Sequence, residues 1–284
     1  MIPGPGTAPR LTLMPPILAH GLTAMLYAAL GAVLARGLWS AVPGTPAGYG
    51  WVRPALLLPM ALQGWLLYTG VFAPAGMTMG VGHALSCIAW LTTLIYWLGS
   101  LFYRLEGLQA LVVPVAAVSA LMPLVLPATR PLANAGMPFF QLHLVLSILA
   151  YSLFTIASLH VLLMALLERR LRSGALPPLV RSLPPLLTLE RLLFRIIGAG
   201  FILLTASLAT GMFFSETLTG KPLLFNHKAV FGILSWLIFG GLMGGRILWG
   251  WRGRTALRWT LAGFLVLVLA YIGSKFVLEI LLGR

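Results

Sequence analysis

The sequence has no aspartate, one cysteine and only five acidic side chains, Glu106, Glu168, Glu190, Glu216 and Glu279. Each shortage closes a class of chemistry. A lone thiol, Cys87, excludes an internal disulfide and any thiolate metal cluster. CxxC and CxxCH are both missing, so the chain is neither a dithiol oxidoreductase nor a carrier of covalently attached haem. Charged residues make up 8% of the 284, against about 25% in an average soluble domain. Such a chain cannot cover itself with a solvated surface.

What fills the sequence instead is apolar: 60% of it is hydrophobic and the mean hydropathy is +0.98. A transmembrane helix needs about 20 largely apolar residues. Eight segments meet that length, roughly 15–36, 54–73, 82–103, 108–126, 139–167, 191–214, 228–249 and 259–282. The predicted fold is all-α, a single polytopic transmembrane bundle over residues 1–284 with about eight spans. Pro59, Pro114 and Pro123 interrupt or shorten the second and fourth segments. Spans tolerate proline where neighbouring helices satisfy the freed carbonyls. The Pro- and Gly-rich start, MIPGPGTAPRLTLMPP, does not read as a cleaved signal peptide, so the first span stays as an anchor.

A net charge of +14 could suggest nucleic acid. Lys and Arg, however, sit between apolar spans rather than on one basic face, which fits cytoplasmic loops and argues against a nucleic-acid partner. Loops after spans one, three, five and seven hold 13 of the 19 basic residues, among them Arg53, Arg169, Arg170, Arg172, Arg181, Arg246, Arg252 and Arg254. The other six are Arg10, Arg130, Lys221, Lys228, Lys275 and Arg284. Both termini are therefore expected outside a bacterial inner (cytoplasmic) membrane. Trp39, Trp51, Trp249, Trp251 and Trp259 fall at the inner boundary, as an aromatic belt would. The largest inner loop, 168–190, alternates basic and leucine-rich stretches around two Pro-Pro pairs. It reads equally as an interfacial segment and as a solvated linker.

With thiolates and aspartates missing, the five histidines are the plausible ligands for a metal or haem. His20, His83, His143 and His227 fall near the outer ends of spans one, three, five and seven. His160 follows His143 by 17 residues on one helix, about 25 Å further along, and cannot share its site. His143, in PFFQLHLVLSILAYSLF, lies just inside a span with little else polar, where ionisable groups are functional candidates. His227 opens a span after Asn226 and reads equally as a polar helix start. His83, in GMTMGVGHALSC, is a weaker candidate, and His20 and His160 read better as interhelical hydrogen-bonding groups.

The stretch from Gly211 to Arg254 joins a polar loop (Glu216, Lys221, Asn226, His227, Lys228), an apolar span and the basic turn Trp249-Gly250-Trp251-Arg252-Gly253-Arg254. It resembles the C-terminal part of the cytochrome c assembly proteins (CcsA/CcmC-like), and most nearly their HemX/YpjD-like branch. FNHKAVFGILSWLIF, the GWRGR turn and Ala270-Tyr271-Ile272-Gly273 stand in matching places, and the likeness is clearest over 141–284. The resemblance implies a haem-handling membrane protein. It also implies that His143, followed by the Ser147 to Ser152 stretch, matches the family's outer haem-ligand histidine. Two departures accompany it. Residues 213–225 lack the tryptophan-rich WD segment, and GSKFVLEILLGR lacks the family's second outer histidine.

The expectation is a protein that is not itself an enzyme and that holds non-covalent haem b at its outer face. His143 and His227 would be the iron ligands, with His83 in reserve. Phe213, Phe214 and Trp236 would pack the macrocycle, while Lys221 and Lys228 attract its propionates. Lipid, haem and other assembly or membrane proteins are the expected partners. The alternatives are a regulatory or scaffolding protein acting on haem-synthesis or membrane-complex partners through the basic inner loop, and a small-molecule permease. The permease lacks the acidic or arginine residue inside a span that marks a substrate path.

The charge asymmetry yields a direct test. With Cys87 replaced by serine, a cysteine placed at Ser173 is expected to stay unlabelled by an impermeant thiol reagent in intact cells and to react after lysis. Labelling before lysis reverses the orientation.

Overall fold

The protein was analysed as a computed structural model, which describes residues 15–39, 49–73, 76–103, 107–127, 131–132, 135–172, 186–219 and 227–273. Apolar runs form helices because a helix satisfies its own backbone groups where no water can. The elements are α1 (Pro16–Trp39), α2 (Val52–Val71), α3 (Val81–Phe102), α4 (Gln109–Ala120), α5 (Met122–Val125), α6 (Pro138–Arg172), α7 (Leu186–Thr219), α8 (His227–Trp249) and α9 (Arg254–Val268). A π-helical turn, Leu269–Gly273, extends α9. A two-residue hairpin, β1 (Phe72–Ala73) with β2 (Gly76–Met77), joins α2 to α3. The fold is an all-α polytopic bundle.

Seven of these described helices are long and apolar enough to cross a membrane. The fourth of the expected segments, shortened as its prolines suggested, is the shorter apolar stretch Gln109–Val125. Proline is the cause. Pro123 has no N–H to continue the ladder, so α4 stops at Ala120 and restarts at Met122. Leu124 turns its N–H to Leu121 across the break. The short segment nevertheless runs along about two thirds of α3. Gln109, at its start, accepts from the Tyr96 hydroxyl at 3.2 Å. At its far end Gly82 lies against the carbonyl oxygens of Met122 and Leu126. From Tyr96 back to Gly82 is about 21 Å of helix.

The long helix α6 is the shared wall of the bundle, half buried where the other spans are about a third buried. Ile156 and Leu163 on one side join a core with Tyr27, Leu56, Val112 and Leu189. Phe154, Ala157 and Val161 on the other join Ile197, Phe239 and Leu242. The Phe154 and Phe239 rings stack at 3.8 Å between centroids. A third, smaller cluster of Val71, Met79 and Ala84 packs against Leu144, Ile148 and Tyr271 and ties the two halves at one end.

The bundle has two chemically different ends. One gathers His20, His83 and His143. The other gathers Arg53, whose carbonyl accepts from Trp97 Nε1 at 2.9 Å, with the ion pairs Arg246–Glu190 and Arg254–Glu168. At this second end Trp251 stands 5.7 Å from Trp249 and 4.9 Å from Trp259, centroid to centroid. It packs against Gly245, where any side chain would overlap its indole. Gly250 and Gly253 take positive φ (65° and 58°) to complete the turn between α8 and α9. The termini and residues 173–185 of the large loop lie outside the described residues.

At Gly82 a side chain would meet backbone rather than a yielding side chain. Gly82→Val is expected to destabilise the bundle by about 1–3 kcal/mol, as overpacking does, whereas Gly21→Ala has open space and should not. Thermal unfolding in detergent, followed by size-exclusion recovery, separates the two.

Candidate functional site

Among the histidines whose side chains are described, His143 has the most developed polar surroundings. It sits in the second turn of α6 and leans on the last third of α7. Its Nδ1 lies 2.9 Å from the Ser207 carbonyl oxygen. A carbonyl oxygen only accepts, so Nδ1 carries the proton and donates, leaving Nε2 as the unprotonated nitrogen. The Ser147 hydroxyl, one turn along, donates to the His143 carbonyl at 2.7 Å and shares a 2.7 Å hydrogen bond with Ser207 Oγ. Thr210 Oγ1 lies 3.4 Å from Nδ1. Gly211 makes room for the ring: a Cβ there would stand 3.1 Å from His143 Cε1.

These supports were only partly legible in the sequence. Ser147 is visible as a hydroxyl one turn after a histidine. The α7 patch Ser207-Leu208-Ala209-Thr210-Gly211 is visible as the run of small residues that lets spans approach closely. Their convergence on one imidazole is tertiary.

The remaining histidines are dispersed. His83 packs its Nε2 side against Gly70 on α2, where an added Cβ would come within 2.8 Å. Its Nδ1 is buried without a hydrogen-bond partner. Its ring is turned towards α2, while Ala84 and Cys87 of α3 pack with Leu144 and Ile148 of α6. His83 and His143 therefore share an end of the bundle but face different neighbours. His20 Nδ1 donates to the Ala120 carbonyl at 2.7 Å, tying α1 to the end of α4. His160 is fully buried and bonds through Nε2 to the Leu189 carbonyl at 2.9 Å, at the opposite end of α7 from Ser207. That is the interhelical tie expected of it.

His227 opens α8, and its side chain lies outside the described residues, as do those of Phe214 and Lys221. Phe213 is 63% exposed. Trp236 packs between helices: its ring stacks on Phe201 at 5.5 Å and its Nε1 donates to Thr205 Oγ1 at 2.8 Å. It fastens α8 to α7. Among the described residues, no three His, Cys, Asp or Glu side chains converge as a metal-binding group.

A helical bundle of membrane-length spans with imidazoles gathered at one end defines a polytopic membrane protein that carries candidate ligands at that end. The family model of the Cytochrome C assembly protein matches residues 54–282, and the chain belongs to that family. An Azospirillum brasilense protein, described as an uncharacterized 28.8 kDa protein in a nifR3-like 5' region, is 39% identical over 168 residues, 58% of this chain and 62% of that protein. The inner membrane protein YpjD of Escherichia coli K12 is 34% identical over 144 residues, 51% of this chain and 54% of its own length. The cytochrome c biogenesis protein CcsA of Picosynechococcus is 33% identical over 107 residues, 38% of this chain and 31% of that protein. The chain thus spans less than two thirds of each of these relatives. No solved structure matches it. The resemblance read from the GWRGR turn and its flanking spans is upheld, and the match extends into the first half of the chain.

The His143 tautomer is directly observable. In protein labelled with ¹⁵N-histidine, the resonance lost in His143→Gln is expected to be that of an Nδ1–H imidazole, and Ser147→Ala should leave it so. An Nε2–H signal at that position would contradict the arrangement.

Proposed function

We propose that this protein binds non-covalent haem b at the end of the bundle where His143 lies, in the service of cytochrome assembly. In this reading the bundle sits as one unit in a bacterial inner membrane with that end facing outward. The observation that carries the reading is the His143 ring. A backbone carbonyl holds its Nδ1 proton, and this second-shell bond fixes the tautomer and orientation that an Nε2 iron ligand needs.

Bound haem would supply an iron centre for coordination chemistry and two anionic propionates. His143 would be one ligand to the iron, already oriented. His227 is assigned as the other because it opens a span beside Lys228, as His143 stands near the start of α6. Lys228 would then stand beside a propionate. His83 is the replacement candidate, and it would need to turn away from Gly70 to take part. Ser147, Ser207 and Thr210 hold the His143 ring against α7, and Gly211 keeps the space it occupies. The chain's part is coordination and positioning, not catalysis. Family membership, and relatives named for cytochrome c biogenesis, support the same reading.

Oxidised and reduced absorption spectra of protein purified in mild detergent test it. The wild type is expected to show haem, and His143→Ala or His227→Ala to shift the Soret band and lower haem retention. Added imidazole should partly restore the spectrum, and His160→Ala should leave it unchanged. A double variant, His143→Ala with His227→Ala, that keeps the wild-type spectrum and stoichiometry would overturn the pair.

A further inference from the structure

At the end of the bundle opposite His143 a cavity of about 460 Å³ opens between α6, α7 and the start of α9. That volume falls in the range of small-molecule sites. Its walls are mostly apolar: Val161, Met164 and Ala165 from α6, Leu193 from α7, and Ala256 and Leu257 from α9. Two of the chain's five acidic residues, Glu168 and Glu190, line it together with Arg254. The chain therefore spends scarce carboxylates on this hollow.

The two carboxylates are held differently. Glu190 pairs closely with Arg246, whose guanidinium also donates to the Trp251 carbonyl and lies 4.6 Å from the centre of the Phe194 ring. That group belongs to the framework. Glu168 and Arg254 form a longer ion pair, 3.8 Å, with 36% and 67% of their side chains exposed. A guanidinium carries five donors, and a carboxylate accepts several hydrogen bonds at once. The rim thus presents one anionic and one cationic group side by side, above apolar walls, at the end of the bundle marked by Trp249, Trp251 and Trp259.

Apolar walls favour an apolar occupant over water. The occupant it suits has an aliphatic body and a head bearing both charges. We propose that this hollow is a binding site for one phospholipid with a primary ammonium head. Its acyl chain lies on Val161, Met164, Leu193 and Leu257, its phosphate meets Arg254 and its ammonium donates to Glu168. A primary ammonium offers three N–H donors to the carboxylate, whereas a quaternary head of the same net charge offers none. The site recognises donors as well as charge. It is independent of the haem site and does not rest on it.

Native mass spectrometry of the delipidated full chain in detergent, titrated in turn with phosphatidylethanolamine, phosphatidylcholine and phosphatidylglycerol, tests this. Wild-type protein is expected to retain one phosphatidylethanolamine at least several-fold better than either other lipid. Glu168→Gln should reduce the preference over phosphatidylcholine, and Ala165→Trp, which fills the hollow, should abolish retention while circular dichroism stays wild-type. Equal retention of phosphatidylethanolamine and phosphatidylcholine by the wild type would overturn the assignment, as would a preference for phosphatidylglycerol. Undiminished retention by a folded Ala165→Trp variant would place any bound lipid elsewhere.

Discussion

Inside a bilayer a polar side chain must find its hydrogen-bond partner within the protein, and this requirement organises the histidines. Three of them bond to carbonyls on neighbouring helices: His20 to Ala120, His143 to Ser207 and His160 to Leu189. The first case shows the cause most plainly. The break before Pro123 sends the Leu124 N–H to Leu121, so Ala120 loses its usual partner in the helical ladder. The His20 imidazole supplies the missing donor. Hydroxyls answer the same need within single helices, as when Thr155 donates to Tyr151 and Thr205 to Phe201.

The consequence for function is a division among similar residues. An imidazole tied through one nitrogen is a structural fastener unless its second nitrogen has both a use and a route to a ligand. His160 has neither in evidence, being sealed between α6 and α7. His143 is only partly buried, near the end of its helix, with small residues around it. The same hydrogen bond that closes a packing requirement at His160 orients a candidate ligand at His143.

Much of this architecture was legible in the residues themselves. Long apolar runs and their loops located the spans, and Pro114 and Pro123 marked the one segment that falls short. Basic residues such as Arg53, Arg246 and Arg254 were separable from His20, His83 and His143 by end. What the sequence could not carry were contacts to backbone, because a carbonyl acceptor has no residue identity. Ser207, Ala120 and Leu189 could have been any residue and still accepted those bonds. Trp236 was ambiguous for a related reason: an indole at helical spacing reads the same whether it faces a ligand or a Phe201 ring. The cavity beside Arg254 was likewise invisible, since it arises where three separate helices fail to meet.

The α8–α9 turn has a mechanical implication. Trp251 wedged against Gly245, two glycines at positive φ and the Arg246 bond to the Trp251 carbonyl pin these two helices together at the tryptophan end. Further along, Ser235 Oγ donates to the Gly263 carbonyl at 2.9 Å and Trp236 Nε1 donates to Thr205 on α7. Fastened at several levels, α8 (His227–Trp249) is a strut rather than a lever. A tilt that carried its first residue, His227, sideways would have to break the Ser235 and Trp236 bonds as well.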